Sequence, residues 1–172
     1  LLGRIDVDGV VQGSLNDYEV LVDDFCIQDI TLSFYNNNLY VIEKTSSLVR
    51  PRVWRLGLTN NSLRLLGVGE QGSIFSLSRY GEFFNYIPNE KFLVLDTAFN
   101  VVIPTFFETF PSKCASSEAA ITCFVPTIMS PNTPNLTLPE GYFQSAFFAP
   151  DNLFTISKDT EDITRIELKP LG

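Results

Sequence analysis

A chain of 172 residues, of which 45% are hydrophobic, is long enough for one domain with a sizeable core. Its 20 acidic and 12 basic residues give a formal net charge of −8, which argues against nucleic acid and anionic membrane surfaces as partners. The sequence contains no histidine, so Ser-His-Asp and Cys-His catalytic arrangements and imidazole metal sites are excluded.

Polar turn clusters recur roughly every eight to twelve residues, and this spacing predicts an all-β protein. No apolar run reaches the roughly 18 residues of a membrane span, so no membrane-inserted segment is expected. The chain starts Leu1-Leu2-Gly3 without Met, which favours a piece of a longer protein.

The N-terminal stretch 3–12 predicts a hairpin, because Asp8-Gly9 between alternating apolar residues favours a two-residue turn. The alternative is an acidic calcium loop that starts at Asp6. Val10-Val11 stands where that loop needs another oxygen ligand and a turn glycine, so we expect neither a metal nor a cofactor. Residues 18–22 predict a further strand that completes an earlier blade or closes a ring.

Segment 30–66 predicts a unit of four short antiparallel strands. Its first strand alternates clearly, with Ile30, Leu32 and Phe34 on one face. Four antiparallel strands in about 40 residues is the size of one propeller blade. The predicted strands span 30–35, 39–42, 53–58 and 63–66.

Two further units follow the same plan. The second, 73–104, predicts strands at 74–77, 83–87, 92–95 and 101–103. The third, 113–168, is interrupted by a proline-rich insertion at 126–150 that cannot lie inside a sheet. Its later strands are predicted at 120–125, 152–156 and 163–168.

The third unit also predicts a disulfide bond. If Glu118-Ala119 is a two-residue turn, then Cys114 lies directly opposite Cys123. Opposed residues of an antiparallel pair have Cα atoms about 4.5–5.5 Å apart, within disulfide reach. The alternative is two buried free thiols in a cytosolic protein, whereas Cys26 has no evident partner and is expected to be a small core residue.

The first two units resemble TolB-like and WD40-like β-propellers. Roughly the last 60 residues are similar to the final blades of uncharacterised, membrane-anchored propeller proteins of candidate-phyla bacteria. The resemblance implies a propeller fold and an extracytoplasmic setting, secreted or anchored to the cell envelope. Because the family has no established activity, the resemblance assigns no catalytic residue to this chain. The similar pieces are Lys113-Cys114, Cys123-Phe124-Val125-Pro126, Leu138-Pro139-Glu140-Gly141-Tyr142-Phe143-Gln144 and Asp151-Asn152-Leu153-Phe154.

About three full blades and a partial one are too few for a typical closed ring of four to eight blades. The chain 1–172 is therefore expected to be a fragment, a small four-bladed ring, or a half-ring that a homodimer completes.

Aromatic side chains beside the insertion are the predicted binding surface, because long loops on rigid β scaffolds commonly carry binding. The alternative is that these rings pack over a blade face or close the ring. The four residues are Tyr142, Phe143, Phe147 and Phe148.

The function expected from the sequence is a non-catalytic binding or scaffolding module with a protein partner or a second copy. A hydrolase or lyase with acidic channel residues, with or without calcium, is the alternative, and carbohydrate binding through the insertion is the third. The carboxylates available to an enzyme are Asp23-Asp24 and Asp159 with Glu161-Asp162, all in predicted turns.

Overall fold

The computed structural model describes residues 2–5, 18–22, 29–88, 90–127 and 150–167, the first two ranges through their backbone only. The described residues form an all-β structure with one short 3₁₀ helix, Pro111–Lys113, which confirms the predicted all-β class. The strands are β1 (Leu2–Ile5), β2 (Tyr18–Val22), β3 (Ile30–Tyr35), β4 (Asn38–Glu43), β5 (Arg52–Gly57), β6 (Ser62–Val68), β7 (Ile74–Leu77), β8 (Phe83–Tyr86), β9 (Phe92–Leu95), β10 (Val101–Pro104), β11 (Cys114–Ser116), β12 (Ala120–Pro126), β13 (Asp151–Ser157) and β14 (Ile163–Ile166).

Three sheets, each of four antiparallel strands, account for β3 to β14. We call them sheet I (β3–β6), sheet II (β7–β10) and sheet III (β11–β14), and in each the strands neighbour one another in chain order. The three predicted four-stranded units are therefore confirmed as sheets. β1 and β2 form a separate two-stranded sheet, while the predicted Asp8-Gly9 turn lies outside the described residues.

The turn between β3 and β4 follows from its asparagines. Asn36 and Asn37 have positive φ angles of 50° and 60°, which the side chain of asparagine tolerates and which a tight two-residue hairpin requires. β3 and β4 then pair without a bulge from Tyr35 opposite Asn38 to Ile30 opposite Glu43.

Sheets I and II pack face to face through an aromatic and aliphatic core. Tyr40, Ile42 and Val53 of sheet I form one buried cluster with Phe75, Phe83 and Leu95 of sheet II. The rings of Tyr40 and Phe83 meet edge to face with centroids 5.4 Å apart, an arrangement that aromatic pairs favour.

Phe99, in the turn between β9 and β10, adds a second contact between these sheets. Its ring lies 5.2 Å from that of Phe75 and 5.5 Å from that of Phe83. A Cβ at Gly67 would come within 2.4 Å of the Phe99 ring, so only glycine allows this approach. Phe99 has a φ of 74°, which is rare for a bulky residue, so packing outweighs its backbone preference.

Sheet III packs on the opposite face of sheet II. Phe84, Phe92 and Val94 of sheet II share a buried cluster with Ile121 and Ile156 of sheet III. Phe107 of the connecting segment belongs to the same cluster, and its ring lies 5.2 Å from that of Phe154. Sheet II is thus covered on both faces.

The predicted cysteine pair is confirmed. Ser117 and Ala120 flank a two-residue turn, with the Ser117 N–H donating to the Ala120 carbonyl over 2.8 Å. Cys114 lies opposite Cys123 with their Cα atoms 4.1 Å apart, and the two residues form a disulfide. Cys123 is fully buried in the core between sheets II and III.

The insertion begins one residue later in the structure than the sequence predicted. Pro126 was expected to lie outside the sheet, but it is the last residue of β12, opposite Asp151. A proline is tolerated there because the end of a strand needs no further ladder N–H.

Removing the disulfide should destabilise the protein. Replacing Cys114 and Cys123 with alanine opens a loop of sequence separation 9, and the loss in the free energy of unfolding is expected to be about 2–3 kcal/mol. Urea unfolding with and without reductant measures it. The double variant should not respond to reductant, and an intact mass of the oxidised protein that is not two hydrogens light would contradict the bond.

Candidate functional site

One face of sheet I points away from sheet II and is strongly apolar. Side chains alternate along each strand, so the register of the sheet gives rows of cross-strand neighbours. The first row is Leu32, Val41, Trp54 and Leu65, and the second is Phe34, Leu39, Leu56 and Leu63. We call these eight side chains the apolar face.

The centre of the apolar face is buried, and three of its four end residues are exposed. Val41 and Leu56 are fully buried, whereas Leu32 and Leu65 at opposite ends of one row are 45% and 46% exposed. Phe34 is 69% exposed. Large apolar side chains grouped on one surface, rather than scattered singly, are typical of a contact surface for another molecule.

An ion pair lies beside the apolar face. The guanidinium of Arg52 donates to the carboxylate of Glu43, with Nη2 and Oε1 2.6 Å apart, and the backbone N–H of Arg52 donates to Oε2 over 2.8 Å. The same guanidinium lies 4.8 Å from the centroid of the Trp54 ring. The buried Glu43 charge is therefore compensated, and Trp54 is held in place at the centre of the apolar face.

A cleft of about 610 Å³ opens between sheets I and II. Thr31 and Ser33 of β3 line it together with Ser76 of β7 and the apolar Ile42 and Ile74. Among the described residues these three hydroxyls have no hydrogen-bond partner, so they are available to donate to, or accept from, a neutral polar group. The volume is in the range of small-molecule sites.

The charged groups of the cleft are paired. Asp29 and Lys44 lie 3.8 Å apart, and the backbone N–H of Lys44 donates to the Asp29 carbonyl. Glu43, which also lines the cleft, is paired with Arg52. The arrangement favours hydrogen bonding to an uncharged ligand over recognition of an ion.

A second ion pair joins sheets II and III. Glu82 accepts hydrogen bonds from the Nζ of Lys158 and from the hydroxyls of Ser78 and Ser116, the last over 3.1 Å. Burial raises the pKa of Glu82, but the hydrogen bonds from Lys158 and Ser78 outweigh it, so this pKa lies below its ordinary value. Lys158 Nζ also lies 4.8 Å from the centroid of the Tyr80 ring.

Glu108 has the opposite perturbation. It lies half-buried on the segment between β10 and the 3₁₀ helix, and burial raises the pKa of its carboxyl. Burial, and secondly the negative charge of Glu108, raises the pKa of Tyr86 to about 12. The charge of Glu108 therefore adds to burial in opposing the ionisation of Tyr86.

The predicted site residues have different outcomes. Tyr142, Phe143, Phe147 and Phe148 lie outside the described residues, so the aromatic surface stays a prediction. The same holds for Cys26 and for the carboxylates Asp6, Asp8 and Asp23-Asp24. Asp159 and Glu161-Asp162 are exposed in the turn between β13 and β14, where polar turn residues were expected.

Sequence reasoning missed the cleft and the ion pair of Glu82 with Lys158. Both join residues of different sheets, and 76 positions separate Glu82 from Lys158 along the chain. No spacing rule connects such residues. The alternation of Ile30, Leu32 and Phe34 did identify one edge of the apolar face, but not its exposure.

Within the described ranges, no group of three or more Cys, Asp or Glu side chains is placed to hold a metal ion. The part of the chain that the structure describes has no helix long and apolar enough to span a membrane. No protein-family model, no curated protein and no solved structure matches this chain.

Replacing Glu82 with glutamine should destabilise the protein at neutral pH. The folded state lowers the pKa of Glu82, so its stabilisation is present above the unfolded pKa and is lost as pH falls through the folded value. We expect a loss of about 1–3 kcal/mol at pH 7, because Lys158 keeps a charge without its partner. Urea unfolding at a series of acidic pH values should show that the difference in unfolding free energy between the wild type and the variant becomes smaller as the pH falls.

The control for Glu82 is Glu70→Gln, which removes an exposed pair with Arg50. Such a pair contributes only about 0–1 kcal/mol. An equal effect of both substitutions would mean that the buried position of Glu82 is not responsible.

Replacing Glu108 with glutamine should have the opposite effect. The folded state raises the pKa of Glu108, so the ionised carboxylate opposes folding once pH rises through the folded value. The variant is expected to melt at a higher temperature than the wild type at pH 7, with the difference vanishing at pH 4 and below. Alkaline titration of tyrosine absorbance should also show a lower pKa for Tyr86. A lower melting temperature at pH 7 would contradict the assignment.

Proposed function

We propose that the chain is a non-catalytic binding or scaffolding module that acts outside the cytoplasm and holds a partner protein against the apolar face. The observation that carries the proposal is the apolar face itself, two cross-strand rows in which the end residues Leu32, Phe34 and Leu65 remain exposed in the folded chain. A protein partner fits such a surface because burial of apolar side chains drives most protein association.

The architecture we propose is propeller-like, with sheets I, II and III as successive blades of a partial or small propeller. Two features support it. The sheets are four-stranded, follow one another along the chain and pack face to face. The first strands of sheets I and II, with residues 110–112 just before sheet III, also line one cleft, as inner strands line a propeller channel.

The extracytoplasmic setting is supported by the disulfide between Cys114 and Cys123. Disulfides persist in secreted, periplasmic and cell-surface proteins, whereas thiols stay reduced in most cytosolic ones. A disulfide in the core between sheets II and III suits a scaffold that must keep its shape away from the cytosol.

Site-specific photocrosslinking tests the binding proposal. A benzophenone amino acid is placed at position 65, in the apolar face, and the purified protein is irradiated together with cell-envelope proteins of its source organism. We expect it to form discrete crosslinked adducts that are heavier than the chain. The same amino acid at position 106 is the control, because Phe106 is 68% exposed and lies outside sheet I.

Because position 106 is more exposed than position 65, nonspecific contact would label it at least as strongly. Adducts from both positions in equal yield, or from neither, would overturn the assignment of the apolar face.

A further inference from the structure

Within the described ranges, the outer edge of β3 lacks the charges, prolines and bulges that protect many edge strands. β3 is the first strand of sheet I, and no described strand pairs with its outer side. Natural edge strands avoid pairing with other chains through charged residues, prolines, bulges or short length. β3 has six residues, Ile30 to Tyr35, with no charge, no proline and an unbroken register with β4.

The other edges of the three sheets are protected. β6 carries Arg64 and a register shift in its pairing with β5, and β10 has a register shift and Pro104. β14 carries Arg165. β7 and β11 have only four and three residues. The contrast makes β3 the edge of this stack best suited to pair with another strand.

The register shows which backbone groups are available on this edge. The Lys44 N–H donates to the Asp29 carbonyl, so the ladder between β3 and β4 uses Asp29 and then every second residue. Ile30, Leu32 and Phe34 therefore direct their N–H and C=O groups outward. Leu32 and Phe34 also have exposed side chains.

We propose that two copies of this chain pair through the β3 edges, antiparallel about a two-fold axis, and form one continuous eight-stranded sheet. In the register that uses all outward groups, Leu32 faces Leu32 of the second copy and Phe34 faces its Ile30. Thr31 faces Ser33 of the second copy on the other side of the sheet. Each cross-strand pair joins side chains of like polarity, as stable antiparallel pairs do.

A second copy suits this edge better than an unrelated strand. In this two-fold register the side chain at position 32 faces its own counterpart, so a charge at that position would meet a like charge. The chain has a net charge of −8, yet β3 has none. An uncharged, self-complementary strand in an acidic chain fits pairing with itself.

The pairing goes beyond the proposed function, since it concerns the edge of sheet I and not its face. It would join two apolar faces side by side into one surface of twice the width. Photocrosslinking at position 65 and the dimer measurement use different residues, so either proposal can fail alone.

Sedimentation or native mass spectrometry at protein concentrations of about 100 µM tests the dimer. The wild type is expected to be dimeric. Leu32→Lys should weaken the dimer at least about tenfold, because like charges directly opposite on paired strands repel. Leu65→Lys, equally exposed on the same face but on β6, should leave it intact.

Amide hydrogen exchange gives a second readout that does not depend on a variant. In the wild type the N–H groups of Leu32 and Phe34 should be protected, and dilution below the dissociation constant should expose them. The N–H groups of Thr31 and Ser33 donate hydrogen bonds to β4 within the same chain, so they should stay protected at every concentration. A monomeric wild type, unprotected amides at Leu32 and Phe34, or equal effects of the two lysine variants would overturn the proposal.

Discussion

Sheet II must be buried on both faces, and the rest of the structure depends on this constraint. All four residues of β8 are buried, and the successive rings of Phe83 and Phe84 belong to two different cores. Since neighbouring side chains of a strand point to opposite faces, a strand of this composition is stable only between two other sheets. Sheets I and III occupy those two positions.

The two ends of the stack differ in chemistry. On sheet I the outward rows are apolar across all four strands, with Val41 and Leu56 buried at their centre. On sheet III an outward row of apolar residues lies beside a row of threonines; these rows are Phe124, Leu153 and Ile166, and Thr122, Thr155 and Thr164. The strongly apolar end is therefore the one suited to a large contact, while the threonine row of sheet III suits contact with water.

The sequence was sufficient to predict the strands but not how the sheets pack on one another. β3 was predicted with its bounds because Ile30 to Tyr35 alternates without exception, and the disulfide followed from counting outward from a two-residue turn. Phe99 shows the limit of local reasoning. It lies between the predicted strands 92–95 and 101–103, but only the contacts of its ring with Phe75 and Phe83 explain a positive φ at phenylalanine. The cleft likewise exists only once two sheets are placed face to face.

The unequal lengths of the connections favour an order in which the three sheets assemble. Asn36-Asn37 alone joins β3 to β4, whereas residues 127–150 separate β12 from β13. Closing the longer connection costs about 2 kcal/mol more in chain entropy than closing a two-residue turn. Sheets I and II can form from short-range contacts, and their packing leaves the second face of sheet II open. β12 and β13, which the longest connection joins, are then expected to pair last, on that face.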